Sequence, residues 1–263
     1  MNILETIIAK KKMEVEGRRK TKIVSELERM PFFKRETFSL TDFLTNPDKT
    51  GIIAEFKRKS PSKGIINNCS STGDVIKDYV KYGASAISVL TDEYFFGGSM
   101  NDLLEARNNN IPILRKDFII DEYQLIESKA FGADIILLIA ACLKKEEVRN
   151  LAVLAKNLGL NVLLEIHSDQ ELGHICDEVD VVGINNRDLK TFKVDINRSI
   201  ELCKKIPSHK IKISESGIDD VKTIHHLKLN GFSGFLMGEK FMKEKNPGSA
   251  FDDFVKQLIQ VIK

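Results

Sequence analysis

Cysteine and histidine are scarce in this 263-residue chain, and neither is spaced for ligation. Cys69, Cys142, Cys176 and Cys203 include no Cys-x-x-Cys pair, and His167, His174, His209, His225 and His226 form no His-Glu-x-x-His set. Metal centres and dithiol redox motifs depend on such spacing, so no metal is expected, and the thiols are read as free and buried or half-buried. An excess of one charge is also missing: 40 basic against 38 acidic side chains give a formal charge of +2. That balance produces no broad single-sign field, which argues against a nucleic-acid partner. The basic cluster Lys10 to Lys12 with Arg18, Arg19 and Lys20 is interleaved with Glu5, Glu14, Glu16, Glu26 and Glu28, and reads as a solvated helix face. No apolar run approaches the roughly 20 residues of a membrane span, and the chain does not open on a charged segment followed by a long apolar one. A cytoplasmic protein without membrane contact is the expectation.

What the chain does have is alternation. From Gly51 onward, strand-like and helix-like runs follow one another about eight times, the signature of parallel strands joined by crossover helices. The predicted strands are 51–57, 84–91, 111–116, 133–140, Asn161–Ile166, Val181–Asn185, 210–215 and Gly234–Met237, rich in Ile, Val and Leu as strands covered on both faces must be. Helical patterns fall at 74–82, 122–131, 145–158, 169–176, 196–205 and 218–229, several ending at Gly83, Gly132, Gly159 and Gly231. Eight units in about 210 residues suit a closed (β/α)8 TIM barrel, class α/β, better than an open doubly wound sheet. A Gly-x-Gly-x-x-Gly loop is also absent after the first strand. Residues 1–50 read as an N-terminal helical extension packed on the barrel, too small and polar to hold a core alone. The expectation is therefore one barrel domain over 1–263, with a single last helix over 241–263.

Five of the apolar runs end in an ionisable or amide side chain where a buried strand should end in another aliphatic. These endings bring Glu55, Lys57, Lys116, Glu165, Asn185 and Glu215 to the carboxyl ends of the strands, where barrel active sites lie. Lys212 faces the helices and carries no functional role. Two ammonium and three carboxylate groups can compensate one another there, and a non-catalytic barrel has little use for so costly a cluster. A second signal follows the last two strands. Ser216-Gly217 and Gly238-Glu239 sit where barrels bind phosphate through backbone N–H groups, and the donor-rich loop at Ser60 to Gly64 can fold over such a ligand. A phosphorylated small molecule is the implied partner.

Specific runs carry a resemblance. They are Ile53-Ala54-Glu55-Phe56-Lys57-Arg58-Lys59-Ser60-Pro61-Ser62, Ser88-Val89-Leu90-Thr91-Asp92, Phe95-Phe96-Gly97-Gly98-Ser99, Leu114-Arg115-Lys116-Asp117-Phe118-Ile119, Gly183-Ile184-Asn185-Asn186-Arg187-Asp188-Leu189 and Ser214-Glu215-Ser216-Gly217-Ile218. In this order they resemble the indole-3-glycerol phosphate synthase family over nearly the whole chain. The resemblance implies a decarboxylating, dehydrating ring closure of 1-(2-carboxyphenylamino)-1-deoxyribulose 5-phosphate, without a cofactor, in tryptophan biosynthesis. It also implies Lys116 as general acid at ring closure and Glu165 as stabiliser of the positive nitrogen or as base. Lys57 would hold the substrate carboxylate and release water, while Glu55, Asn185 and Glu215 orient the lysines and the sugar hydroxyls. Phe96 and Phe118 would flank the anthranilate ring, Arg187 would join the network near Glu215, and Ser60, Ser216, Gly217, Gly238 and the Glu239 backbone would bind phosphate. Glu239 departs from the Ser of some members, and its carboxylate would repel a phosphate unless turned outward. A monofunctional monomer is expected. The alternatives are another phosphosugar isomerase or synthase barrel, and a non-catalytic scaffold that binds a phosphorylated metabolite.

Overall fold

The computed structural model describes residues 3–188, 191 and 193–262. Leu189, the last residue of one motif above, and Lys263, the end of the predicted final helix, lie outside them. Three helices precede the barrel: α1 (Ile3–Thr21), α2 (Val24–Leu27) and α3 (Leu40–Thr45). Eight parallel strands then close on themselves: β1 (Ile52–Phe56), β2 (Ala86–Leu90), β3 (Ile113–Lys116), β4 (Ile135–Ile139), β5 (Asn161–Ile166), β6 (Val181–Asn185), β7 (Ile211–Glu215) and β8 (Gly234–Met237), with β8 pairing to β1. Strand alternation sorts their side chains. Ile53, Leu114, Leu163, Ile213 and Leu236 form the interior cluster, while Ile52, Ala54, Ile113, Val162, Val182 and Phe235 belong to the larger layer under the helices.

The barrel is wrapped by α4 (Thr72–Lys81), α5 (Glu93–Phe96), α6 (Met100–Ala106), α7 (Glu122–Ala130), α8 (Lys145–Asn157), α9 (Ile196–Cys203), α10 (Val221–Leu229), α11 (Glu239–Met242) and α12 (Pro247–Ile262). Ser71, Ser99, Asp195 and Asp220 start four of these helices by accepting the backbone N–H three residues on. Gly83, Gly132, Gly159 and Gly231, all with positive φ, follow α4, α7, α8 and α10.

Four expectations need correction. The segment 169–176 is no α-helix but a 3-10 turn, Asp169–His174. Asp, Gly and His are poor helix formers, and Glu171 folds back to accept the His167 N–H at 2.5 Å. The last helix is two: α11 ends at Met242 and α12 restarts at Pro247, a residue suited to a first helical position because no N–H is needed there. Cys69 is exposed rather than buried.

The fourth correction concerns the basic face of α1, which is not simply solvated. Lys11 is buried, its ammonium 2.8 Å from Asp92 and 2.9 Å from Asp117 in the loops after β2 and β3, and 2.8 Å from Glu14. Arg18 reaches Glu127 of α7 at 3.1 Å, and Arg19 pairs with Asp121. Helix α1 therefore lies across the carboxyl-end loops. At the opposite end Leu40 and Leu44 of α3 enter the interior cluster, and Asn161 at the start of β5 accepts the Leu40 N–H and donates to the Phe38 carbonyl. Asp134 adds a second clamp, gathering Arg35, Arg107 and the N–H groups of Phe38 and Ile113.

Candidate active site

Because alternate residues share a face, the interior row of each strand runs on into the loops. Ile53 is followed by Glu55 and Lys57, Leu114 by Lys116, Leu163 by Glu165, Val181 by Gly183 and Asn185, Ile213 by Glu215, and Leu236 by Gly238. These side chains meet in a cavity of about 440 Å³ at the carboxyl end of the barrel. All fourteen predicted site residues line it, together with Ile3, Leu4 and Ile7 from the leading turns of α1.

Its centre is the Lys116 ammonium, 2.8 Å from Glu165 Oε2 and 3.0 Å from Glu215 Oε2. Burial works against that charge, but Glu165, Glu215 and Glu55 outweigh it and hold the ammonium above its ordinary value. Glu165 also accepts from Asn185 Nδ2 at 3.2 Å on its other oxygen. Burial would raise its carboxyl, yet Lys116 and His167 keep it below the usual carboxylate range. Glu215 goes the other way: burial dominates, Lys116 only partly compensates, and the nearby Glu165 and Glu55 charges raise it further. Its Oε1 is buried without a hydrogen-bond partner among the described residues. Across the cavity Lys57 and Glu55 form a second pair at 2.7 Å.

Small residues make this crowding possible. A Cβ on Gly183 would run into Glu215 Oε1, and one on Gly238 would stand 2.8 Å from both Cβ and Oε1 of Glu55. An aromatic wall stands nearby, with the rings of Phe96 and Phe118 6.1 Å apart and tilted by 41°.

Past β7 the backbone takes an uncommon course. Ser216 has φ +69°, strained for a residue with a side chain, and the next residue Gly217 has φ +67°. Asn186, buried after β6, holds this turn by donating to the Ser216 carbonyl at 2.7 Å and to Ser214 Oγ at 3.0 Å. The donor-rich loop after β1 is an antiparallel hairpin in which Lys59 pairs with Ile65 and Ser60 with Gly64. Lys63 at its tip is 3.6 Å from Glu239, and Arg187 is 3.8 Å from the same carboxylate. Arg187, read as joining the network near Glu215, reaches Glu239 with its guanidinium and donates its backbone N–H to Asn185 Oδ1.

Sequence reasoning missed Asn186, Asp92, Asp117 and Lys11. It also missed His167, two residues beyond Glu165, whose Nε2 is 3.2 Å from Glu165 Oε1. The same two-residue periodicity that selected Glu165 points to His167.

Known proteins share this chain's pattern. The sequence profile of the indole-3-glycerol phosphate synthase family matches residues 4–254. The indole-3-glycerol phosphate synthase of Bacteroides thetaiotaomicron is 46% identical over 258 residues, covering 98% of this chain and 99% of its own. That of Caldanaerobacter subterraneus is 42% identical, covering 97% and 98%. Among solved structures, the tryptophan synthase alpha subunit of Legionella pneumophila superposes with TM-score 0.62 at 15% identity, covering 85% of this chain and 97% of its own. The 3-hexulose-6-phosphate synthase of Salmonella typhimurium gives 0.63 at 13%, covering 80% and 98%. At such identities these structures establish the barrel fold alone.

Proposed function

We infer the chemistry of this cavity from a plain premise: the chain belongs to the indole-3-glycerol phosphate synthase family. It is a decarboxylating carbon–carbon lyase of tryptophan biosynthesis that acts on a phosphorylated small molecule. The substrate is 1-(2-carboxyphenylamino)-1-deoxyribulose 5-phosphate, and the products are indole-3-glycerol phosphate, carbon dioxide and water.

The observation that carries the residue roles is the Lys116 ammonium held between Glu165 and Glu215, facing the Lys57–Glu55 pair. Ring closure turns the substrate ketone oxygen into an alkoxide, and Lys116, kept protonated by its carboxylate neighbours, donates to it as that charge develops. Lys57 pairs with the substrate carboxylate until carbon dioxide departs, then protonates the leaving hydroxyl. Glu165, kept ionised, stabilises the cationic nitrogen and accepts the proton released in the dehydration. Glu55 and Asn185 hold Lys57 and Glu165 in place, and the open Oε1 of Glu215 takes a sugar hydroxyl. Phe96 and Phe118 flank the aromatic ring. The phosphate sits on the turn at Ser216 and Gly217 and on the backbone at Gly238 and Glu239, with Ser60 and Arg187 on its approach.

In this reading residues 1–263 act as one barrel domain, a monomer in the cytoplasm without nucleic acid, which light scattering checks against the 29.7 kDa chain mass. Purified protein given the substrate yields a fluorescent indole product. Lys116→Ala loses nearly all turnover while keeping its fold. Folded wild-type protein that makes no product overturns the proposal.

A further inference from the structure

We propose that His167, backed by Glu171, is a positioning residue that locks the Glu165 carboxylate in its working orientation and supplies the second cation beside it. The proposal rests on the roles given above to Glu165.

The geometry begins with the strand. His167 follows β5 at the two-residue step that continues the inward row, which sets its ring directly behind Glu165 rather than in the cavity lining. Nε2 lies 3.2 Å from Glu165 Oε1, and Nδ1 lies 3.7 Å from Glu171 Oε2. The imidazole is thus bracketed by two carboxylates in a site 9% exposed. Neither ring nitrogen reaches hydrogen-bond geometry with a partner among the described residues. The contacts are charge contacts that can tighten when substrate fills the cavity.

The loop explains why the bracket is rigid. Where a crossover helix was expected, a 3-10 turn carries Glu171 back over the strand end, and its Oε2 accepts the His167 backbone N–H at 2.5 Å. The turn is pinned in its own right by His174, whose ring nitrogens lie 3.1 Å from the carbonyls of Glu171 and Leu143. Each Glu165 oxygen consequently has its own neighbours: Lys116 on Oε2, Asn185 and His167 on Oε1. A carboxylate gripped on both oxygens cannot rotate away from Lys116, and its ionised form is favoured.

Two other titratable groups stand near this turn. Cys142, in the 3-10 turn Ala140–Cys142 after β4, is near the same two carboxylates, and burial followed by their charge keeps its thiol neutral. Lys145 of α8 packs its side chain against Gly173 of the turn Asp169–His174. Burial alone would depress the imidazole, but Glu165 and Glu171 outweigh it and push it up to about 9, so the ring is cationic at neutral pH.

Steady-state kinetics across pH and imidazole ¹⁵N NMR of the intact protein test this. In His167→Gln, kcat should fall at least 10-fold at pH 7.5 with KM within 3-fold of wild type, and His167→Arg, which keeps a cation, should recover part of the loss. Wild-type kcat should decline above about pH 9, and His167→Gln should lack that limb. NMR of the wild type should show one imidazole titrating near 9, which moves down in Glu171→Gln even if the His167 variants fold poorly. An active wild type whose His167→Gln variant matches it in kcat and pH profile, or five imidazoles all titrating below 7.5, overturns the proposal. A wild type that makes no indole product instead overturns the reaction assignment, and this role with it.

Discussion

Lys11 Nζ and Asp117 Oδ1 stand 2.9 Å apart with both side chains closed to solvent, tying the first helix of the chain to the loop after β3. The same ammonium reaches Asp92 after β2, and Asp117 also takes Arg115 at 2.9 Å. One buried cation thus fastens α1 over two of the loops that shape the cavity. Lys11→Met leaves two carboxylates short of a partner in a dry place and should cost about 3–5 kcal/mol. Guanidinium unfolding followed by circular dichroism measures it; a change under 1 kcal/mol contradicts the buried-pair reading.

Acid should weaken the same link. Burial alone would raise the Asp117 carboxyl, but Arg115 and Lys11 hold it well below the ordinary range. Its folded value is lower than the unfolded value of ~3.9, so its contribution is complete above that pH and is lost as pH falls toward the folded value. The stability gap between wild type and Asp117→Asn should be flat from pH 5 to 8 and shrink steadily below about pH 4. His167 acts with the opposite sign: its value is raised, so its contribution is full below ~6.5 and is lost as pH climbs through about 9.

Gly183→Ala tests how tightly the centre is packed. The added methyl would enter the space of Glu215 Oε1 and push that carboxylate from Lys116. A displacement of about 1 Å at a reacting group costs roughly 100-fold in rate. Turnover should fall by that order while the circular dichroism spectrum stays native; an unchanged kcat shows that Glu215 can move freely.

Glu239→Ser addresses the phosphate end. The carboxylate lies near Lys63 and Arg187, where it competes with a phosphate for the same cations. Removing one like charge some 4 Å away in a wet site is worth about 1 kcal/mol, or about 5-fold. The inhibition constant of inorganic phosphate and KM should both drop by that factor with kcat little changed. Weaker binding of both would show that Glu239 helps hold the ligand.

Strand-level periodicity made the catalytic face legible in the sequence. Leu114 to Lys116 and Ile213 to Glu215 share a face whatever the detailed fold, so a closed barrel necessarily brings such endings together. His167 obeys the same rule, but a histidine without ligand spacing carries no signal of its own, and its place is set by the carboxylates of Glu165 and Glu171 on either side of the ring. Lys11 was illegible for another reason. On the helix it reads as one charge among many, and only the tertiary placement of Asp92 and Asp117 makes it a buried partner. The turn at Asp169–His174 failed for want of local signal: its shape is set by Glu171 folding onto His167, a contact that helix propensity does not encode.

Leu40 and Leu44 stopper the barrel at the end away from the cavity. Traffic is therefore confined to one doorway: the substrate enters, and the gas, the water and the finished indole leave, beneath the leading turns of α1.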